Sequence, residues 1–194
     1  MVYRDAGQLV VSPTDLTKFL ACTHLTSLDL SVATGQRSAP TNNDGEFLEL
    51  LFRKGLEHEH RYLASLQARF DVVEVQQLSV AEAARATEKA MTDGASVIYQ
   101  ATFLHGGHRG HADFLLRNTA PSRLGDWSYD VADTKLARRL KVPALLQMAE
   151  YGEHLRRIQG IAPSWLTVVT GDSESHAYRY ADVASYYRRV AQRF

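Results

Sequence analysis

The chain has 194 residues and a mass of 21.7 kDa, with 45% hydrophobic and 23% charged residues, values of a folded domain that exclude general disorder. Its formal net charge of zero hides a split. Residues 135–194 carry 10 Lys/Arg against 5 Asp/Glu, whereas residues 1–134 carry 12 against 17, so a basic segment follows an acidic one. The single cysteine, Cys22, excludes an internal disulfide framework and a complete zinc ribbon. No apolar run approaches the roughly 20 residues of a membrane-spanning helix. Met1-Val2-Tyr3-Arg4-Asp5 lacks a secretory apolar core, so a cytoplasmic protein without membrane contact is expected.

Ser12-Pro13-Thr14-Asp15 predicts a helix start, with serine at the N-cap, proline at N1 and Asp15 closing a capping box. Helical tendency resumes over 25–33 and ends at Gly35, and residues 36–45 read as a polar loop. A long helix is expected over 46–68, its buried side marked by Phe47, Leu50, Leu51, Leu56, Tyr62, Leu63 and Leu66. A short strand follows over 71–76, and Ser79-Val80-Ala81-Glu82 opens a capped helix that stops at Gly94. Strands over 96–104 and 109–117 flank His105-Gly106-Gly107-His108, which suits a tight hairpin. A strand over 129–136 precedes a helix over 142–159, with Leu145, Met148, Gly152, Leu155 and Ile158 on one face. Strands over 165–170 and 176–180 and a helix from Asp182 to Phe194 complete the order. The fold class expected is α/β, a mixed sheet covered on both sides. One domain over 1–194 is expected, with a helical part to about residue 70 and a core over about 71–194.

Asp133-Thr134-Lys135 falls on a predicted strand, where residues i and i+2 share a face. A carboxylate there can hold a divalent cation while the ammonium stabilises phosphate charge, although the triplet alone also describes a surface ion pair. Asp113, late on the preceding strand, can be set beside Asp133 by the returning chain. His58, in Gly55-x-x-His58 on the long helix, can add an imidazole, with Glu57, Glu59 and His60 expected to point elsewhere on the helix. Gln147 and Tyr151 are four residues apart on the 142–159 helix and so share a face. His105, His108 and His111 flank the hairpin and offer an alternative zinc centre, set against the simpler reading of solvated histidines. Lys135, Arg138, Arg139 and Lys141 form a basic cluster suited to phosphates of any sequence, followed by Arg156 and Arg157.

The ordered set Gly55-x-x-His58, Asp113, Asp133-x-Lys135 and Gln147-x-x-x-Tyr151 resembles the RecB-type nucleases of the PD-(D/E)XK superfamily, including CRISPR-associated exonucleases. The resemblance runs from Ser12 to about Thr170. It implies a restriction-endonuclease-like sheet flanked by helices and an Mg²⁺- or Mn²⁺-dependent deoxyribonuclease, more an exonuclease than an endonuclease, acting in DNA repair or recombination. His58, Asp113, Asp133 and the Thr134 carbonyl match its metal ligands, Lys135 its catalytic lysine, and Gln147 and Tyr151 its DNA-handling motif. The implied partners are DNA, single-stranded or with ends, and a helicase domain or subunit. Ser12-Pro13-x-x-Leu16-x-x-Phe19-Leu20-x-Cys22 is similar to the opening of members that hold a [4Fe–4S] cluster, but four thiolates are needed and Thr23 replaces the usual proline. Cys22 serves a cluster only if this chain is the front part of a longer protein that continues past Phe194. A non-catalytic DNA-binding module of the same fold is the main alternative, and a zinc hydrolase on the three hairpin histidines is a further one.

Overall fold

A computed structural model describes residues 2–5, 8–40, 45–75 and 79–194. Residues 41–44 of the predicted loop and Gln76 of the predicted strand lie outside the described residues. A small antiparallel pair, β1 (Tyr3–Asp5) and β2 (Gln8–Val10), opens the chain and had no counterpart in the expected elements. Then follow α1 (Pro13–Ala21), α2 (Thr23–Ala33), α3 (Glu46–Gln67), β3 (Val72–Glu74) and α4 (Val80–Thr92). The hairpin strands β4 (Val97–His105) and β5 (His108–Asn118) lead to β6 (Ser128–Lys135), α5 (Val142–Gln159), β7 (Trp165–Thr170), β8 (Ser175–Arg179) and α6 (Tyr180–Ala191). No helix among the described residues is long and apolar enough to cross a membrane.

Local chemistry sets the boundaries. Asp15 accepts hydrogen bonds from the Ser12 amide at 3.0 Å and its hydroxyl at 2.8 Å, and Glu82 accepts from the Ser79 amide at 3.1 Å, so both expected capping boxes form. Gly106 and Gly107 take φ of 57° and 79°, the paired left-handed conformations of a two-residue hairpin turn.

The main sheet has the order β3-β4-β5-β6-β7-β8. Its two parallel contacts, β3 with β4 and β6 with β7, make it mixed, as expected. One face carries α4, α5 and α6 over Ile98, Phe103, Leu115, Tyr129, Val131, Leu166 and Val168. The other face buries Val97, Tyr99, Phe114 and Ala132 under Leu63 and Leu66 of α3.

Two expectations of burial and one of length need correction. On α3 only Leu63 and Leu66 of the predicted apolar side are buried and Tyr62 is half-buried, whereas Phe47, Leu50, Leu51 and Leu56 are exposed. A helix of 22 residues is about 33 Å long, and its first half runs past the narrower sheet face it covers. On α5, burial extends round the helix to Leu146, Glu150, Tyr151, His154 and Gln159, because the sheet, α1 and α6 all pack on it. Leu145 and Ile158 are half-buried there. The last helix, expected to run from Asp182 to Phe194, starts at Tyr180 and ends at Ala191. The Arg193 and Phe194 amides both donate to the Val190 carbonyl, a terminal turn that tightens the chain and breaks the helical succession. Phe194 thereby sets its ring edge-on against Phe19 of α1, with centroids 5.5 Å apart.

The sheet changes phase at one place. Val97 and Tyr99 face α3 while Ile98 faces α5, yet Ala101 and Phe103 both face α5. The alternation therefore slips at Gln100, whose φ is 56°. On β5, Ala112 and Leu115 face α5 while Phe114 faces α3, so the same slip occurs at Asp113. The β4–β5 ladder skips the Gln100–Asp113 position while keeping register on either side.

Helices α5 and α6 meet at Gly152, where a Cβ would enter the Tyr180 ring. The Tyr180 hydroxyl donates to Glu153 Oε1 at 2.7 Å and Arg188 Nε donates to the same oxygen at 2.6 Å. Gly152→Ala should therefore lower unfolding stability by about 1–3 kcal/mol, the usual cost of overpacking. Urea unfolding measures this, and a loss below about 0.5 kcal/mol would show that the ring moves aside freely.

Candidate active site

The ladder between β5 and β6 ends at Phe114–Ala132, so Asp113 and Asp133 stand opposite each other where the strands part. Beyond this point β6 stays paired with β7, through Asp133–Val168, Thr134–Val169 and Lys135–Thr170. Asp113 crosses the gap: its Oδ2 accepts from the Thr134 amide at 2.8 Å and from the Thr134 hydroxyl at 2.9 Å. The Thr134 amide thus points into the fork. In extended backbone a residue's N–H and C=O share a side, so its carbonyl faces the fork too.

Asp133 is 3% exposed and forms an ion pair with Lys135, Oδ2 to Nζ, at 2.5 Å. Burial first, and then the charge of Asp113, pushes its carboxyl up to about 7, against the pull of Lys135. The half-buried Asp113 carboxylate on the neighbouring strand is thus the second contribution, after burial, that disfavours the charged form of Asp133. Burial pulls the Lys135 ammonium down, but Asp133 and Asp113 outweigh it and hold its affinity for the proton above the ordinary lysine value. The expected Asp113, Asp133, Thr134 and Lys135 are therefore brought together.

Two neighbouring carboxyl groups, one of them buried, are a hard oxygen pair suited to Mg²⁺ or Mn²⁺, whose charge would relieve their repulsion. His58 does not join them. Its Nε2 donates to the Val169 carbonyl at 3.1 Å and its Nδ1 faces Arg61 Nη2 at 3.5 Å, so both ring nitrogens are occupied. No group of three His, Cys, Asp or Glu side chains converges for a metal among the described residues. The residues thus fit a cation held by Asp113, Asp133 and the Thr134 carbonyl, and His58 takes a structural place under β7.

Glu59, expected to point away, faces the site. Its Oε1 accepts from Gln100 Nε2 at 2.5 Å, and burial followed by the charge of Asp113 raises its carboxyl above the usual range. It lies four and seven residues before Leu63 and Leu66, so extending their stripe backwards along α3 finds it.

Tyr151 is buried against Gly110 and stacked with Phe103 at 6.2 Å, so it walls the site rather than offering a free hydroxyl to DNA. Burial and the charges of Asp133 and Asp113 hold its phenol well above the ordinary value. Gln147, half-buried, donates to Thr14 Oγ1 at 3.4 Å and ties α5 to the start of α1. Arg138, Arg139 and Lys141 are exposed on the segment that leaves β6. Cys22 is exposed at the junction of α1 and α2, one thiol where a [4Fe–4S] cluster needs four.

The hairpin histidines separate. His105 and His108 pair across the turn, and His108 Nδ1 donates to buried Glu150 Oε1 at 3.2 Å. His111 instead bonds Thr102 Oγ1 at 3.0 Å on the other strand face, so the three do not form a zinc centre. With His154 and Glu150, His105 and His108 line a cavity of about 400 Å³. His154 stacks on Phe103 at 5.1 Å and an interplanar angle of 2°, and burial drives its pKa down to about 3.

That histidine gives the fold a sign-defined pH dependence. The folded imidazole stays neutral while the unfolded one takes up a proton near 6.5, so its contribution is complete above pH 6.5 and is lost as pH falls toward 3. His154→Phe keeps the stack and removes the titration. Across pH 6 to 4 the parent should lose on the order of 1 kcal/mol per pH unit relative to this variant in urea unfolding. Parallel stability curves would show that His154 protonates freely in the fold. Comparison with protein-family models and with curated proteins returns no match for this chain.

Proposed function

We propose that the chain is a DNA nuclease that hydrolyses phosphodiester bonds with Mg²⁺ or Mn²⁺. The observation that carries this reading is the fork between β5 and β6, which places Asp113, Asp133 and the Thr134 carbonyl around one point with Lys135 beside them. A bound cation there would polarise the phosphate and lower the pKa of water. The other steps belong to the chain's own groups. Asp133 carries the charge that fixes Lys135, and the Lys135 ammonium is poised to stabilise negative charge growing on the phosphate in the transition state. Arg138, Arg139 and Lys141 supply sequence-independent phosphate contacts next to the chemistry. Tyr151 excludes water from the inner wall, which strengthens each charge interaction in the fork. The finer reading is a restriction-endonuclease-like fold, exonuclease action on single strands or ends in DNA repair or recombination, and a helicase domain or subunit as partner. A [4Fe–4S] cluster on Cys22 belongs to this proposal only for a longer form of the protein, with its other thiolates beyond Phe194.

One observation favours a second reading, a DNA-binding module without catalysis. His58 is engaged by Val169 and Arg61, which leaves two acidic side chains where the resemblance implies three side-chain ligands.

Labelled single- and double-stranded DNA, incubated with Mg²⁺, Mn²⁺ or chelator, separates the two. Cleavage should require the cation and disappear in Asp133→Asn, while Lys135→Ala should cut single-turnover cleavage by roughly 10²–10³ with DNA affinity little changed. Binding without cleavage under every condition would establish the module instead.

The phosphate track has its own measurement. Replacing Arg138 and Arg139 together with Ala should weaken binding to all sequences alike and reduce the slope of log affinity against log salt by about one to two. An unchanged slope would place the DNA elsewhere.

A further inference from the structure

The phase slip in β4 and β5 needs a cause. Gln100 sits in the left-handed region at φ 56°, which a side chain with a Cβ disfavours unless its surroundings fix it. Nothing in the strand itself does so, since the ladder skips this position. The anchor comes from α3, 41 residues earlier: Gln100 Nε2 donates to Glu59 Oε1 at 2.5 Å. Tyr99, the residue before it, is buried close to the same carboxylate, and burial followed by Glu59 raises its phenol. Gln100 is thereby pinned to one side chain on the helix above it.

We infer that Glu59 is a positioning residue, whose carboxylate holds Gln100 in its left-handed conformation and so maintains the paired slip that turns Asp113 onto the Thr134 amide. If Gln100 relaxes to extended backbone, it can pair with Asp113 and regular alternation returns to both strands. With Phe114 facing α3, that alternation sends Asp113 squarely to the α5 face and away from the strand edge where Thr134 N–H points. Glu59 acts through Gln100 and Asp113 and does not itself touch substrate. The inference rests on the reading of Asp113 and Asp133 as the reactive pair, but its geometry can be tested without any reaction.

The probe is hydrogen exchange at the Thr134 amide, followed by NMR in chelator, with Asp113→Ala marking full loss of the contact. Glu59→Ala should speed that exchange by about tenfold, the scale of releasing one disfavoured backbone conformation. Glu59→Gln, whose amide oxygen still accepts from Gln100, should stay near the parent. The double variant Glu59→Ala/Gln100→Gly should recover protection, because glycine adopts positive φ at little cost. DNA cleavage should follow the same order, through kcat with KM unchanged. Parent-like exchange in Glu59→Ala overturns the inference, and so does a folded double variant as exposed as Glu59→Ala. Equal loss in Glu59→Gln would assign the effect to charge and likewise overturn it. If Glu59→Ala alone does not fold, Gln100→Gly is compared with the double variant: equal protection supports the inference and lower protection in the double overturns it. A parent that cleaves no DNA with either cation removes the nuclease reading, while the exchange result still decides the role of Glu59.

Discussion

The parting of β5 from β6 after Phe114–Ala132 is the constraint on which the rest of the site depends. While the strands are paired, their amides satisfy one another and their side chains belong to the two cores. Once they part, a backbone amide at Thr134 needs an acceptor, and Asp113 supplies it. That single bond fixes one carboxylate at the mouth of the fork. The other, Asp133, is fixed by the β6–β7 ladder, which continues for three more residues on the far side. Two acidic groups from different strands are thus held close by backbone pairing rather than by any attraction between them.

Electrostatics then follows from geometry. Close carboxyls in a buried place cannot both ionise at no cost, so burial and the Asp113 charge push Asp133 up to about 7. Lys135, two residues along the same strand face, is the only compensating cation in contact with Asp133 among the described residues. The buried Tyr151 ring and the α5 packing keep the local dielectric low, which enlarges both the repulsion and its relief. An entering cation would relieve that repulsion, and the exposed basic residues Arg138, Arg139 and Lys141 follow directly on the segment that leaves β6.

Much of this was legible in the sequence because the relevant rules are local. Ser12 with Asp15, and Ser79 with Glu82, mark helix starts three residues apart, and Gly106-Gly107 marks a turn of two residues. Asp133 and Lys135 share a face because strand periodicity is two. What was not legible depends on distant partners. The burial of α3 is decided by where the sheet ends, so Phe47 and Leu56 are exposed despite a sound apolar pattern. Phe194 leaves the helical pattern for a ring on α1, 175 residues earlier in the chain. His58 spends its nitrogens on Val169 and Arg61, a choice set by a strand 111 residues away. The helical stripe of Leu63 and Leu66 points back to Glu59, but its partner was hidden, because nothing about glutamine in a strand announces the positive φ of Gln100.

The fork has a further consequence, for association between molecules. A gap inside a sheet is an edge in disguise: one side of β6 from Asp133 onward presents backbone without a neighbouring strand, in the middle of the molecule. Sheet edges of this kind invite a stray extended segment to pair, and folded proteins discourage that with charges turned inward. Asp113 caps the first amide, buried Asp133 repels any apolar strand, and Lys135 adds a third charge within the same short stretch. The residues read here as chemistry therefore also serve as a guard against aggregation, and stripping the charge from them to study catalysis opens the sheet to self-association.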